Sequence, residues 1–201
     1  MRTGSRLALV IGCLAGGMAA AAPAAAQADA RHVMPAGPMF IAQPPPPATK
    51  IEGFQAPIGA VVTVGYEVLG EVAGISVDAR ELRDSTGGRI RGVVVEVAEE
   101  KAAPQQSYID VDELPDLIHG MDRLLNVTDN PTQFRNFEMH YATKGELELI
   151  ASSSHNRGVV FSVEVGRLMK ARRERLTAGE LQQLRTLIEA ASQRLLTMPD
   201  K

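Results

Sequence analysis

The segment from Ser107 to Leu125 constrains the fold more than any other, because it carries the clearest helical pattern in the chain. Its apolar residues recur at spacings of three and four, which places them on one face of an α-helix. A helix with one apolar face needs a second layer of structure over that face, and the flanking sequence can supply a sheet. The predicted core positions of this helix are Leu114, Leu117, Ile118, Met121, Leu124 and Leu125.

Acidic residues mark the start of this helix. Asp110 or Asp112 can accept hydrogen bonds from the free amides of the first turn, and Asp110 and Glu113 have the spacing of a capping box. Pro115 fits only near the helix start, since it has no amide hydrogen to donate. With Asp112 as the cap, Pro115 falls in the first turn, so we predict that Asp112 is the cap.

The first 28 residues have the pattern of an export signal. We therefore expect a soluble periplasmic or secreted protein whose mature chain begins at Asp29. We expect no transmembrane segment, because the apolar core of the signal is too short to span a bilayer. The pattern consists of a basic start, an apolar core and a cleavage site, which are Arg2 and Arg6, Leu7 to Leu14, and Ala26-Gln27-Ala28.

Cys13 is the only cysteine in the chain. It ends the run Val10-Ile11-Gly12-Cys13, which resembles the lipobox of bacterial lipoproteins. A lipoprotein anchored at Cys13 is therefore the alternative to ordinary cleavage. Ordinary cleavage leaves a mature chain without cysteine, which excludes disulfides and thiolate chemistry.

The charge balance of the chain is acidic, with a formal net charge of −3. The signal contributes two arginines and no acid, so the mature chain has 19 basic and 24 acidic residues and a net charge of −5. Nucleic-acid binding relies on basic surfaces. The charge balance therefore argues against nucleic acid as a partner.

Proline content divides the mature chain into two parts. Residues 29–50 contain Pro35, Pro38 and the run Pro44 to Pro47 among alanines, which predicts a disordered or polyproline tether. Residues 51–198 have the usual size of one domain and can build a single core. We predict one folded domain over that range.

Alternating apolar residues predict strands on both sides of the helix. Val62, Val64, Tyr66 and Val68 alternate with mostly polar or small neighbours, which predicts a strand with one solvated face. Residues 84–88 supply the turn of a hairpin. The other predicted strands centre on residues 75–79, 90–97, 137–141, 147–149 and 159–165.

A second amphipathic helix closes the chain. Thr177 and Glu180 have the spacing of a capping box at its start, and Pro199 stops it. Its apolar face is predicted to consist of Leu181, Leu184, Leu187, Ile188, Ala191 and Leu195.

The two halves of the chain are weakly similar to each other. Arg91-Gly92-Val93 matches Arg157-Gly158-Val159 at an offset of 66 residues, and Glu113-Leu114 matches Glu180-Leu181 at an offset of 67. These matches indicate either a duplicated β-β-β-α unit or two copies of a common pattern. In both cases hairpin-length connections favour antiparallel pairing. We predict an α+β fold with mainly antiparallel sheets and two amphipathic helices.

The stretch Ser-Tyr-Ile-Asp-x-Asp-Glu-Leu-x-x-Leu at residues 107–117 follows a Gly-Val-Val-Val-Glu-Val strand. Together they resemble a family of uncharacterised exported bacterial proteins, a domain of unknown function, over residues 51–201. That resemblance implies an exported domain and no particular activity. In topology the duplicated unit also resembles whirly-like single-strand binding folds, from which the acidic charge balance departs, so no binding residues are carried over.

Signatures for metals and cofactors are absent from the sequence. The four histidines, which are His32, His119, His140 and His155, stand outside any zinc signature. The acids at positions 110–116 lack the glycine and the spaced acids of a calcium loop. We therefore predict neither a metal nor a cofactor.

A basic stretch near the second helix is the sharpest charge anomaly in the chain. Five cations within nine residues predict one of two roles. They can form a charged edge strand that resists pairing with other chains, or a patch that binds an anionic envelope component or an acidic protein surface. These residues are Arg167, Lys170, Arg172, Arg173 and Arg175.

The functional expectation follows from the lack of a catalytic or cofactor signature. We expect a non-enzymatic binding or structural protein of the bacterial envelope. The alternative is a hydrolase or other enzyme whose site is assembled from residues remote in sequence. Its first candidates are Asp110, Asp112, His119 and His140.

Overall fold

The computed structural model describes residues 46–98, 103–128, 131–154, 158–166 and 171–199. Two four-stranded antiparallel sheets lie in these ranges, and each is followed in sequence by one helix. The predicted α+β class, with antiparallel sheets and two amphipathic helices, is confirmed. None of the helices in the described ranges is both long enough and apolar enough to cross a membrane.

Each sheet has its strands in sequence order, so every connection within a sheet is a hairpin. The first sheet consists of β1 (Val62–Val72), β2 (Ile75–Asp84), β3 (Arg89–Val97) and β4 (Gln105–Asp110). The second consists of β5 (Glu138–Ala142), β6 (Glu148–Ser154), β7 (Gly158–Val165) and β8 (Arg172–Leu176). The helices are α1 (Leu114–Leu125) and α2 (Ala178–Leu196).

The two halves of the chain share one core. Helix α2 packs mainly across β1, β2 and β3 of the first sheet, whereas α1 packs on β5 and β6 of the second sheet and against α2. Each helix therefore covers mainly the sheet of the other half. The buried residues include Val77 and Val95 of the first sheet, Leu149 of the second, Leu117 of α1 and Leu184 of α2.

The helix faces predicted from spacing are the faces that pack against this core. In α1 the four residues Leu114, Leu117, Met121 and Leu124 are buried, and the remaining two predicted positions are partly buried. Five of the predicted positions of α2 are buried and Leu187 is partly buried. Burial of an apolar face contributes about 25 cal/mol per Å² of area removed from water, so these faces stabilise the contact between helices and sheets.

The start of α2 has the predicted capping box. Thr177 Oγ1 accepts a hydrogen bond from the amide of Glu180 (3.2 Å), and the Glu180 carboxylate accepts one from the amide of Thr177 (2.7 Å). The bond from the Thr177 amide lowers the pKa of Glu180 below its usual value. Two donors of the first turn are thereby satisfied.

The start of α1 differs from the prediction. A 3-10 turn at Val111–Glu113 precedes the helix, which begins at Leu114, and no side chain of Asp110 or Glu113 makes a capping bond. The predicted cap at Asp112 is therefore wrong, although Pro115 does lie in the first turn. The acids are engaged elsewhere, because Asp112 binds the side chain of Lys50 at 2.7 Å.

Each half has four strands before its helix, where the sequence repeat indicated three. The additional strands are β4 and β8, which lie directly before α1 and α2. Residues 105–110 have no alternation of apolar and polar side chains long enough to predict a strand. Their pairing with β3 supplies the backbone partners that define β4.

Candidate binding surface

The first sheet has an inner face, which α2 covers, and an outer face on its other side. Side chains alternate between these faces along each strand. Ala79, which is buried in the core, pairs with Glu67, whereas Tyr66 pairs with Arg80 on the outer face. The outer face of β1 therefore carries four apolar side chains, named here the β1 stripe, which are Val62, Val64, Tyr66 and Val68.

The β1 stripe is exposed. Val62 is 44% exposed, Val64 50%, Tyr66 69% and Val68 58%. The intervening residues of this half of the strand are exposed as well. The sequence predicted a strand with one solvated face, and that expectation is wrong for residues 62–68, because both faces are exposed there.

The exposure follows from where the covering layers end. On the inner side, α2 reaches the far end of β1, where a Cβ added at Gly70 would lie 2.8 Å from Leu187 Cδ2. On the outer side, residues 46–54, named here the strap, cover β3 instead. A Cβ added at Gly92 of β3 would lie 3.0 Å from Cδ1 of Ile51. On the inner side Arg194 of α2 also reaches Glu67, but on the outer side the strap leaves the four residues of the β1 stripe 44–69% exposed.

The strap is anchored by one buried carboxylate. Asp110 is 3% exposed, and its two oxygens accept hydrogen bonds from the amides of Lys50 (2.9 Å) and Ile51 (3.1 Å). The Lys50 side chain binds Asp112, and this bond raises the pKa of Lys50 and lowers that of Asp112. The side chain of Ile51, within the strap, is buried against β3. Asp110 and Asp112 thus fix the strap to the end of β4 and to the 3-10 turn before α1.

A cleft of about 190 Å³ separates the strap from the β1 stripe. Val64 lines one side of it, and Ile51 and Phe54 of the strap line the other. Its base is formed by residues of β2 and β4 whose side chains share the outer face. The residues at the base are Arg80, Leu82 and Tyr108.

The edge of β1 is open to a further strand. Among the described residues, β1 pairs with β2 alone and forms the edge of its sheet. The amide of Ser85 donates to the carbonyl of Val61 (2.9 Å), and hydrogen-bonded pairs in an antiparallel ladder recur at every second residue. Thr63, Gly65 and Glu67 therefore direct their backbone groups to β2. The four residues of the β1 stripe direct theirs to the free edge.

No basic residue or proline protects this edge. Within β1 the only charged residues are Glu67 and Glu71. Natural edge strands often carry lysine, proline, inward charges or a β-bulge that discourages pairing with another chain. A register shift between Val68 and Gly70 interrupts β1, so its regular edge runs over residues 62–68. This part has an exposed apolar stripe, a single charged residue, Glu67, and neither lysine nor proline, so it is open to pairing.

Strand β8, one of the two edge strands of the second sheet, is protected by charge. Strand β8 has five residues, and Arg172, Arg173 and Arg175 are exposed on it. Arg172 pairs with Glu174 at 3.0 Å, and Arg173 binds Glu164 through two nitrogens at 3.0 and 2.8 Å. The location of these three arginines matches the charged edge that the sequence suggested.

The remaining residues of the predicted basic site, Arg167 and Lys170, lie outside the described residues. Binding of an anionic envelope component by the five cations stays a prediction.

A cluster of one glutamate and three arginines lies on the inner side of the first sheet, on β2 and β3. Glu81 accepts hydrogen bonds from Arg83 (2.7 Å), Arg89 (2.6 Å) and Arg91 (2.8 Å). Burial alone would raise the pKa of Glu81, but the bonds from Arg91 and Arg83 outweigh it and the pKa is lowered. Arg89 and Arg91 also donate to the carbonyl of Pro199, just beyond α2. The cluster ties the β2–β3 hairpin to the end of that helix.

The residues of the alternative enzyme site are not brought together into one pocket. A concavity of about 420 Å³ lies beside Asp110 and Asp112, but neither His119 nor His140 lines it. His119 is exposed on α1. In the part of the chain that the structure describes, no group of three or more potential ligands could hold a metal ion.

His140 instead forms part of a surface cluster on the second sheet. Its Nδ1 lies 2.7 Å from Glu148 Oε1, and its Nε2 lies 3.2 Å from Glu138 Oε2. The hydrogen bond with Glu148 raises the pKa of His140 above its usual value. Asp122, one turn from His119, binds Arg185 of α2, and that bond lowers the pKa of Asp122.

The chain matches no protein-family model, and no curated protein is similar to it.

Proposed function

We propose that the protein is a non-enzymatic binding domain of the bacterial envelope and that it binds other protein strands at β1. The envelope location rests on the export signal at the start of the chain. The observation that carries the proposal is the exposure of the β1 stripe along an unprotected sheet edge.

The contrast between the two edges supports this proposal. Both β1 and β8 end a four-stranded sheet, but three of the five residues of β8 are arginine and none of the eleven residues of β1 is basic. The chain thus protects one edge and leaves the longer, more apolar edge open. Addition of a strand at an open edge is a common way for proteins to bind an extended segment.

Backbone and side chains would contribute differently to such binding. The free amides and carbonyls of β1 would pair with the added strand and provide affinity. The β1 stripe and the cleft beside Phe54 would contact alternate side chains of that strand and provide selectivity. The acids proposed for an enzyme are engaged in holding the strap, which supports binding over catalysis.

Site-specific photo-crosslinking in cells of the native host tests this proposal. A photoreactive residue at Tyr66 should form protein adducts, because this position faces any strand added at the edge. The same residue at Arg173 on the protected edge should not, and it serves as the matched control. Equal adducts at both positions, or none at Tyr66, would show that β1 is not the binding surface.

A further inference from the structure

We infer that the strand that pairs with β1 is β1 of a second copy of this chain, arranged antiparallel about a two-fold axis at Gly65. This inference rests on the proposed function, because it names the occupant of the same edge. It follows from three properties of residues 62–68, which are their pattern of side chains, the direction of their backbone groups and their charge.

The side-chain pattern of this strand is complementary to itself. With the axis at Gly65, Val62 lies opposite Val68 of the second copy, and Val64 lies opposite Tyr66. Every position of the β1 stripe would then contact an apolar residue on the same face of a continuous sheet. A register shifted by one residue would place these side chains opposite Thr63, Gly65 or Glu67 on the other face.

The backbone groups are directed as this pairing requires. Those of Val62, Val64, Tyr66 and Val68 point to the free edge, as the pair formed by Val61 and Ser85 indicates. In the two-fold arrangement each of these residues lies opposite another member of the same set. The two strands can therefore exchange about eight hydrogen bonds without disturbing the pairing of β1 with β2.

The charges of the strand permit two copies to approach. Glu67 is the only charged residue between Val62 and Val68, and it lies opposite Thr63 in this register. Its carboxylate is bound by Arg194 of α2 at 2.6 Å, so its charge is balanced within each copy. The two Glu67 residues would be about 14 Å apart, which is beyond the screening length in physiological salt.

Sedimentation of the purified chain measures the first consequence. The full chain of 201 residues has a mass of 21.5 kDa, and we expect this chain, purified with its first 28 residues, to sediment with twice that mass. Tyr66→Lys should sediment as a single chain, because a lysine on the edge is charged and hydrated in the place of an apolar contact. Phe134→Lys is the matched control, since Phe134 is an aromatic residue 77% exposed outside both sheets, and it should stay dimeric.

A disulfide measures the register. In a Cys13→Ser background, Gly65→Cys should form a covalent dimer on mild oxidation, because the axis places the two Cα atoms about 4.5 Å apart. A Cβ at Gly65 meets only the Glu81 carbonyl oxygen, at 3.9 Å, so the substitution fits the strand. Val62→Cys should form none, since its two copies would be about 20 Å apart.

Three results would overturn the inference. These are a native chain that stays monomeric at about 100 μM, a Tyr66→Lys variant that dimerises like the native chain, and a disulfide that forms at Val62 but not at Gly65. Monomeric protein that still gives adducts at Tyr66 with other proteins would contradict the second copy and leave the proposed function standing. Coverage of β1 by the chain's own first 45 residues would also give a monomer and no disulfide.

Discussion

Asp110, the last residue of β4, and Thr177, the residue after β8, lie at corresponding positions of the two halves, but they stabilise different parts of the chain. Thr177, which follows β8, caps α2 through the amide of Glu180. Asp110, which ends β4, accepts hydrogen bonds from two amides of the strap. Corresponding positions of the two halves thus cap a helix in one half and hold the strap over the outer face in the other. The strap covers β3 and leaves β1 exposed.

Asp110→Asn should release the strap. The variant keeps the shape of the side chain, but an NH2 group replaces one carboxylate oxygen. Because this group cannot accept a hydrogen bond, the backbone amide of either Lys50 or Ile51 loses its acceptor. We expect a loss of about 1–3 kcal/mol in the free energy of unfolding and faster hydrogen exchange at these two amides. Asp112→Asn is the control, since it removes only an exposed ion pair. Unchanged exchange at both amides in Asp110→Asn would contradict the anchoring role.

Leu117→Ala should destabilise the whole domain. Leu117 is fully buried where α1 packs in the shared core, so the change loses transfer free energy and leaves a cavity. We expect a decrease of about 2–5 kcal/mol in the free energy of unfolding, measured by denaturant titration. Leu196→Ala removes the same atoms from a position 66% exposed on α2 and should change stability little. Similar losses in both variants would mean that α1 does not bury this face.

The features that can be predicted from this sequence are those whose deciding contacts are local. The apolar faces of the helices and the box of Thr177 and Glu180 depend on residues within a few positions of each other, so spacing predicts them. The role of Asp110 depends on amides at residues 50 and 51, which only the fold brings near. The spacing of Asp110 and Glu113 is that of a capping box, but the fold uses the Asp110 carboxylate for a long-range contact with the strap.

The candidate surface could not be predicted for a similar reason. Alternation along β1 indicates that one face is apolar, but not whether another layer reaches that face. The exposure of Tyr66 depends on how far the strap extends over the outer face, and its residue Ile51 packs at Gly92 of β3. The position of Arg172 and Arg173 on an edge strand was predictable, because such a run of charge is typical of protected edges.

Gly120→Ala should destabilise the protein although alanine favours helices. A Cβ at Gly120 would overlap the ring of Tyr141, which β5 holds against α1. Overpacking of a core costs about 1–3 kcal/mol, whereas the gain in helix propensity is at most about 1 kcal/mol. Thermal unfolding should therefore show a lower midpoint. Gly179→Ala is the control, because a Cβ there meets only Thr177 Oγ1 at 3.9 Å. A higher midpoint for Gly120→Ala would show that Tyr141 can move aside.

His140 should titrate above its usual range. The hydrogen bond with Glu148 favours the charged ring, so the folded pKa lies above the reference value of 6.5. The resulting stabilisation is fully present below that unfolded value and is lost as the pH rises through the folded pKa. In an NMR titration, Glu148→Gln should lower the pKa of His140 more than Glu138→Gln does. Equal pKa values in the native protein and both variants would refute this cluster.

Neutralising Arg172 and Arg173 to glutamine should promote aggregation without unfolding the domain. Their ion pairs with Glu174 and Glu164 are largely exposed, and such pairs contribute about 0–1 kcal/mol each, so thermal unfolding should change little. The edge of β8 would nevertheless lose charges that discourage pairing, and light scattering of concentrated protein should increase.

The matched control for this prediction is the pair Arg123→Gln and Arg135→Gln, which removes two exposed charges away from β8. It should not raise the scattering, because neither residue lies on a sheet edge. Equal scattering in both double variants would mean that net charge, and not the edge, governs aggregation.

The alternative role of β8 is to bind an anionic envelope component. In that case the native protein should be retained on anionic vesicles, and the Arg172 and Arg173 substitutions should weaken the retention. Added salt should weaken it as well, since screening acts over about 10 Å at 0.1 M salt. Aggregation without such retention identifies these arginines as edge protection, in contrast to the exposed apolar stripe on the edge of β1.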